Sequence, residues 1–248
     1  MLAVSTRCVT AALLLALVPA LCRAANVRCT ARSPGHTTAL VELYTAELCA
    51  GCERAGAWLS ALGRARSVES VIPILLRMEG RADVREAEVR QRVSSRQLRL
   101  LPLQRTALVY SPQVLLQGRE FADWNRPEAL GAALDRIRAR PEQVRMTIAI
   151  EAKAPGGLTA AVEAQVVDAG QVADSVLYFA SFTSAAHHRA VLEWVGPAAV
   201  RPDGHISVSR ILALPSAHAP HDTGVVAFVQ NRRTREVLQA LLLAACSP

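Results

Sequence analysis

The chain has 248 residues, six cysteines and a formal net charge of +7. With 51% apolar and 20% charged residues it can bury a core, which excludes a disordered chain, and its length allows one or two domains. The positive charge is almost all arginine, since Lys153 is the sole lysine; no basic block forms an arm and aromatics are scarce, so no nucleic-acid partner is expected.

Residues 1–24 have the three parts of a secretory signal peptide. Arg7 supplies the positive charge, Val9–Val18 is apolar, and Pro19 breaks the run. Cys22-Arg23-Ala24 places small residues for cleavage after Ala24. The apolar run is shorter than the roughly 20 residues of a membrane-spanning helix, so no stable membrane insertion is expected once the signal is removed. Cleavage lowers the charge from +7 to +5 by removing Arg7 and Arg23. It leaves Cys29, Cys49, Cys52 and Cys246 in an oxidising setting, periplasmic or secreted. The spacing favours pairing Cys49 with Cys52 and Cys29 with Cys246.

Asn26–His36 is polar and reads as a loose arm. Thr38–Thr45 is β-branched and apolar with one acid, which predicts a buried strand. Cys49-Ala50-Gly51-Cys52 follows. Ala55, Trp58, Leu59 and Leu62 then mark one face of a helix ending near Gly63. Val71–Leu76 predicts a second strand and Asp83–Leu100 a second helix. Thr106–Tyr110 reads as a short strand, and Val114–Gln117 as extended chain up to Gly118. Asn125 and Glu128 have the spacing of a capping box before the stripe Leu130, Ala133, Leu134 and Ile137, which Pro141 terminates.

The pattern changes after Pro141. Val144, Met146, Ile148 and Ile150 alternate as a half-buried strand does. Leu158–Val167, Ser175–Thr183, His205–Leu212 and Gly224–Gln230 predict further strands, and Arg232–Ala245 reads as either helix or strand. The expected architecture is an α/β domain over 37–140 followed by a mostly antiparallel, sandwich-like β domain over 144–248.

The chemistry is expected where the first strand meets the first helix. A C-x-x-C opening a helix meets unpaired N–H groups and partial positive charge, which stabilise a thiolate. A lowered pKa makes the first cysteine a nucleophile, and the second, one turn on, can resolve a mixed disulfide. A structural bridge that never turns over is the alternative. A closed zinc site would need a second ligand pair, and His218 and His221 lie far along the chain. Pro112, between two strand candidates, must sit at an edge, bulge or turn.

Val41-Glu42-Leu43-Tyr44-Thr45, Cys49-x-x-Cys52 and the run Tyr110-Ser111-Pro112-Gln113 through Gln117-Gly118-Arg119 together resemble the DUF1223 family of exported thioredoxin-like proteins of uncharacterised function. The resemblance covers roughly Thr38–Arg140 with specific motifs and, more loosely, the β-rich remainder. It implies a thioredoxin-like fold for the first domain, with Pro112 as a cis-proline beside Cys49 and Cys52. It also gives Glu42 a role, as a buried carboxylate relaying the proton of the resolving thiol; a surface-facing glutamate on a strand edge is the alternative. The sequence departs from the family pattern where Glu53-Arg54 replace prolines, and where Arg77-Met78-Glu79-Gly80 stands in for an aromatic, acidic segment.

Two functions follow as expectations. One is an exported thiol–disulfide oxidoreductase using Cys49, Cys52, Pro112 and Glu42. It needs no cofactor, because the cysteines carry the electrons, and it acts on a protein or small-molecule thiol or disulfide with a separate redox partner. The other is a non-catalytic binding or accessory protein with a structural Cys49–Cys52 disulfide.

Overall fold

The computed structural model describes residues 28–78, 84–103, 108–153, 157–184, 189–213 and 222–245. The signal segment, Cys246, His187, His188, His218 and His221 lie outside them.

The apolar runs of β2 (Ala39–Thr45) and β3 (Val71–Arg77) are buried on both faces, as parallel strands require. They pair in parallel from Ala39 opposite Val71 to Thr45 opposite Arg77. Parallel neighbours need a crossover, and α1 (Cys52–Ala65) supplies it. Its stripe buries Ala55, Leu59 and Leu62. α2 (Val84–Leu100) follows β3, and β4 (Gln113–Leu116) returns antiparallel to β2. β5 (Arg119–Glu120) and α3 (Pro127–Arg138) complete this region. The strand expected over Thr106–Tyr110 does not form at Leu108–Tyr110, which is irregular and exposed; 104–107 lie outside the described residues. The expected capping box is also absent. Arg126 is the N-cap without a side-chain bond, and Pro127, with its preset φ, opens the helix.

The remaining strands are β6 (Val144–Lys153), β7 (Gly157–Val166), β8 (Ser175–Thr183), β9 (Ala190–Ala199), β10 (His205–Ala213), β11 (Thr223–Asn231) and β12 (Val237–Ala244). Arg232–Ala245 thus resolves as a turn and a strand. The N-terminal arm contains β1 (Arg28–Arg32), paired antiparallel with β6.

Two sheets result, ordered β1-β6-β7-β10 and β12-β11-β8-β9-β3-β2-β4-β5. The larger is mixed and takes strands from both sides of residues 140–144. Alternation decides what covers each face. Leu40 and Tyr44 of β2, Ile72 and Ile74 of β3, and Tyr178 and Phe228 of β8 and β11 share one face with Val89, Val93 and Leu100 of α2. On the other face, Val41 and Leu43 pack under α1 and α3. Farther along that face, Leu177, Phe179 and Val225 pack against Val144, Met146 and Ile148 of the smaller sheet. One end of the large sheet is therefore sandwiched by helices and the other by a second sheet.

The large sheet also curls. β12 and β2, with four strands between them in its order, are joined by side-chain amides. Gln117 Oε1 accepts from Leu40 N at 2.7 Å while its Nε2 donates to the Val237 carbonyl at 2.8 Å. Gln239 Oε1 accepts from Thr38 N at 2.8 Å and its Nε2 donates to the His36 carbonyl at 2.9 Å. Gly118 must follow Gln117 because its φ is +78° and a Cβ there would stand 2.1 Å from the Arg235 carbonyl oxygen. Among the described residues no helix is long and apolar enough to cross a membrane.

Candidate functional site

β2 ends at Thr45, and the chain turns through residues 46–51 to open α1 at Cys52. Cys49 and Cys52 are joined as a disulfide with Cα atoms 5.4 Å apart. Cys52 N donates to the Cys49 carbonyl at 3.1 Å, which fixes the motif as one turn. Gly51 is the N-cap and offers no side-chain acceptor, so beyond the Cys52 N–H the first turn of α1 has no side-chain cap at the sulfurs' end of the helix. Both cysteines are half-buried.

Pro112 is brought to the motif from about sixty residues away. The Ser111–Pro112 peptide is cis. A methyl group at Gly51 would lie 3.2 Å from Pro112 Cδ, so the proline ring packs directly over the C-x-x-C backbone. Two contacts hold the loop in place. Gln97 of α2, fully buried, donates Nε2 to Gln113 Oε1 at 2.7 Å and to the Tyr110 carbonyl at 3.4 Å. Tyr110 bonds Glu120 through its hydroxyl, and burial together with that carboxylate raises its pKa to about 12. Around the disulfide, Leu48 is fully exposed, and Leu108, Val109 and Tyr110 are also open to solvent.

Glu42 does not join this site. It is wholly buried, as one expectation held, but its side chain lies on the α2 face of the sheet, whereas α1 packs on the opposite face. Arg96 of α2 takes its carboxylate in a two-point contact, Nε to Oε1 at 2.6 Å and Nη2 to Oε2 at 2.9 Å. Tyr44 donates its hydroxyl to Oε1 at 3.2 Å. Arg96 also donates to Gln230 Oε1 at 2.8 Å and lies against the rings of Phe228, Tyr178 and Trp194. Burial works against the Arg96 charge, but Glu42 outweighs it and holds the guanidinium's pKa above its ordinary value. Burial and the Glu42 carboxylate likewise push the Tyr44 hydroxyl well up. A carboxylate held by Arg96 on the face away from α1 is not positioned to take the proton of Cys52, and the proton-relay expectation is corrected accordingly.

Beside Cys52 a groove of about 500 Å³ runs between α1 and the carboxyl ends of β2 and β3, with Thr45, Gly56, Ser60, Arg64 and Arg77 on its walls. Sequence reasoning missed this groove together with Arg96 and Gln97. The signal for the groove was available: Cys52, Gly56, Ser60 and Arg64 recur every four residues on a helix. For Arg96 there was none, because its partner lies 54 residues away.

The described residues contain no cluster of three or more histidine, cysteine or acidic side chains able to hold a metal. Cys29 is disulfide-bonded, and its Sγ lies 3.9 Å from the Ala244 carbonyl oxygen at the end of β12.

The model of one protein family, described as a protein of unknown function (DUF1223), matches residues 40–192. Among curated proteins none matches the sequence. In fold the chain is similar to HBP35 of Porphyromonas gingivalis, with a TM-score of 0.65 and 15% identity over 86% of this chain and 76% of that one. It is also similar to a structural-genomics protein of Agrobacterium tumefaciens, with a TM-score of 0.57 and 15% identity over 87% of this chain and 98% of that one.

Proposed function

This chain belongs to the DUF1223 family, whose function is unknown, and we propose that it is an exported thiol–disulfide oxidoreductase built on a thioredoxin-like scaffold. The observation that carries the proposal is the packing of the Pro112 ring on Gly51, between two half-exposed cysteines at a helix N-terminus without a side-chain cap. A bridge meant only to brace the fold needs neither that exposure nor that helix end. The signal-like segment 1–24 supports export, which puts the protein in the periplasm or outside the cell.

In the proposed reaction the Cys49 thiolate attacks a partner disulfide and expels one partner sulfur as a thiolate. Cys52 then attacks Cys49 Sγ, releases the second partner thiol and closes the Cys49–Cys52 bond. Two electrons pass to the partner. The helix N-terminus lowers the cost of the Cys49 thiolate. Pro112 has no N–H and shields the backbone side of the motif.

Trapping tests this reading. A Cys52→Ser variant should accumulate a mixed disulfide through Cys49, recoverable by non-reducing electrophoresis. The second reading is an accessory protein with an inert bridge, favoured by Glu53-Arg54 standing where the family has prolines. A reduction potential below about −300 mV with an unreactive Cys49 would establish it and remove the first.

A further inference from the structure

We propose that the groove beside Cys52 seats a small acidic thiol or its disulfide, an assignment that rests on the redox function above. The four-residue recurrence of Cys52, Gly56, Ser60 and Arg64 places them on one face of α1. Glycine and serine are short, so this face forms a channel, and its strand-side wall includes Thr45 and Arg77. The volume of about 500 Å³ suits a small molecule, since such sites span about 300–1,000 Å³. From Cys52 to Arg64 the helix rises about 18 Å at about 1.5 Å per residue, enough for a molecule longer than one amino acid.

Charge selects the class. Arg77 ends β3 opposite Thr45, at the cysteine end of the groove, and Arg64 lies in the last turn of α1. Neither guanidinium has a carboxylate partner among the described residues. One acid, Glu53, shares the lining. Two guanidiniums against one carboxylate favour a net anionic occupant. Guanidinium forks match carboxylates in two-point contacts, and an amino group of the same molecule suits Glu53. A ligand so held brings its sulfur to the Cys52 end of the groove, where Cys49 is disulfide-bonded to Cys52 in the oxidised protein. For a bound disulfide RSSR, Cys49 thiolate forms the mixed disulfide and releases RS⁻. Cys52 then displaces the second RS⁻ from Cys49. The protein pair is oxidised by two electrons, and two RSH leave with the two cysteine protons.

Three disulfides of different charge test the assignment on the reduced protein: oxidised glutathione (acidic), hydroxyethyl disulfide (neutral) and cystamine (cationic). Each rate constant is divided by that of the same disulfide with free dithiothreitol, which removes intrinsic reactivity. The expected order is oxidised glutathione first and cystamine last, with at least a tenfold spread that narrows as salt is added. Arg64→Gln and Arg77→Gln should each lower the ratio of acidic to neutral rates several-fold. Arg54→Gln, which lies outside the groove lining, should leave that ratio as it is. Equal normalised rates for the three probes, or ratios unmoved by both groove variants, would overturn the groove assignment and leave the redox function standing. If none of the three oxidises the protein, the redox function fails and the assignment falls with it.

Discussion

The two ends of the large sheet bury the same kind of side chain under different covers. At β2 and β3 the strands run parallel and helices lie on both faces. At β8, β11 and β12 they run antiparallel and a second sheet lies on one face. Parallel strands point their carboxyl ends the same way, so the β2–β3 end gathers a helix N-terminus, two cysteines and a groove at one rim. Antiparallel strands distribute their ends to both rims, and among the described residues they gather nothing comparable. Chemistry thus collects at the helical end, while the sandwich end supplies a stiff wall. The two are tied together by Arg96, which bonds Glu42 on β2 and Gln230 on β11.

The largest test of that tie is to break it. Glu42→Gln should cost about 3–5 kcal/mol by leaving Arg96 buried and half-paired, read from the urea midpoint. Replacing both partners, Glu42→Leu with Arg96→Met, should recover most of that loss. A single cooperative transition in both variants would confirm that the ends unfold together; separate transitions would split the comparison into independent units.

Gly118→Ala comes next, at about 3 kcal/mol, because the added methyl would meet the Arg235 carbonyl at a positive φ. Gln239→Leu should cost about 1–3 kcal/mol through the unpaired Thr38 N–H. Reducing Cys49–Cys52 should cost less than about 2 kcal/mol, since the closed loop is short, and leave a dithiol able to attack a partner disulfide. A larger loss of melting temperature on reduction would count the bridge among the structural supports. The smallest effect is spectroscopic. Tyr110 should ionise near pH 12, and a Tyr110→Phe variant should lose that step in tyrosinate absorbance. Because its pKa is raised above the ordinary 10, whatever stability its contact with Glu120 lends is present below pH 10 and lost between 10 and 12.

Much of this was legible in the sequence where the signal is local. The run Val71–Leu76 and the stripe Ala55, Leu59 and Leu62 carry their periodicity in neighbouring residues. The C-x-x-C and Pro112 were legible as a pair, and the structure packs them together. β1 was missed because its half-buried residues, Cys29 and Ala31, are small and only two, so its alternation with polar neighbours is short and weak. β9 was missed because Gly196 and Pro197 interrupt it, and its register with β8 shifts twice. Glu42 was misplaced for another reason. Its burial was one of two open expectations, and which sheet face it occupies depends on the side α2 takes, which nothing local to Glu42 encodes.

The amide bridges at Thr38 and Leu40 have a kinetic consequence. Thr38 waits for Gln239, 201 residues later, and β1 waits for β6, so the first strands made are completed by much later ones. Such long sequence separations imply a slow search, because loop closure must be accomplished before these contacts contribute. A chain emerging N-terminus first would carry β1 and the amino end of β2 unfinished for most of its synthesis. Any helper that acts on this protein should therefore engage those strands, not the cysteine loop.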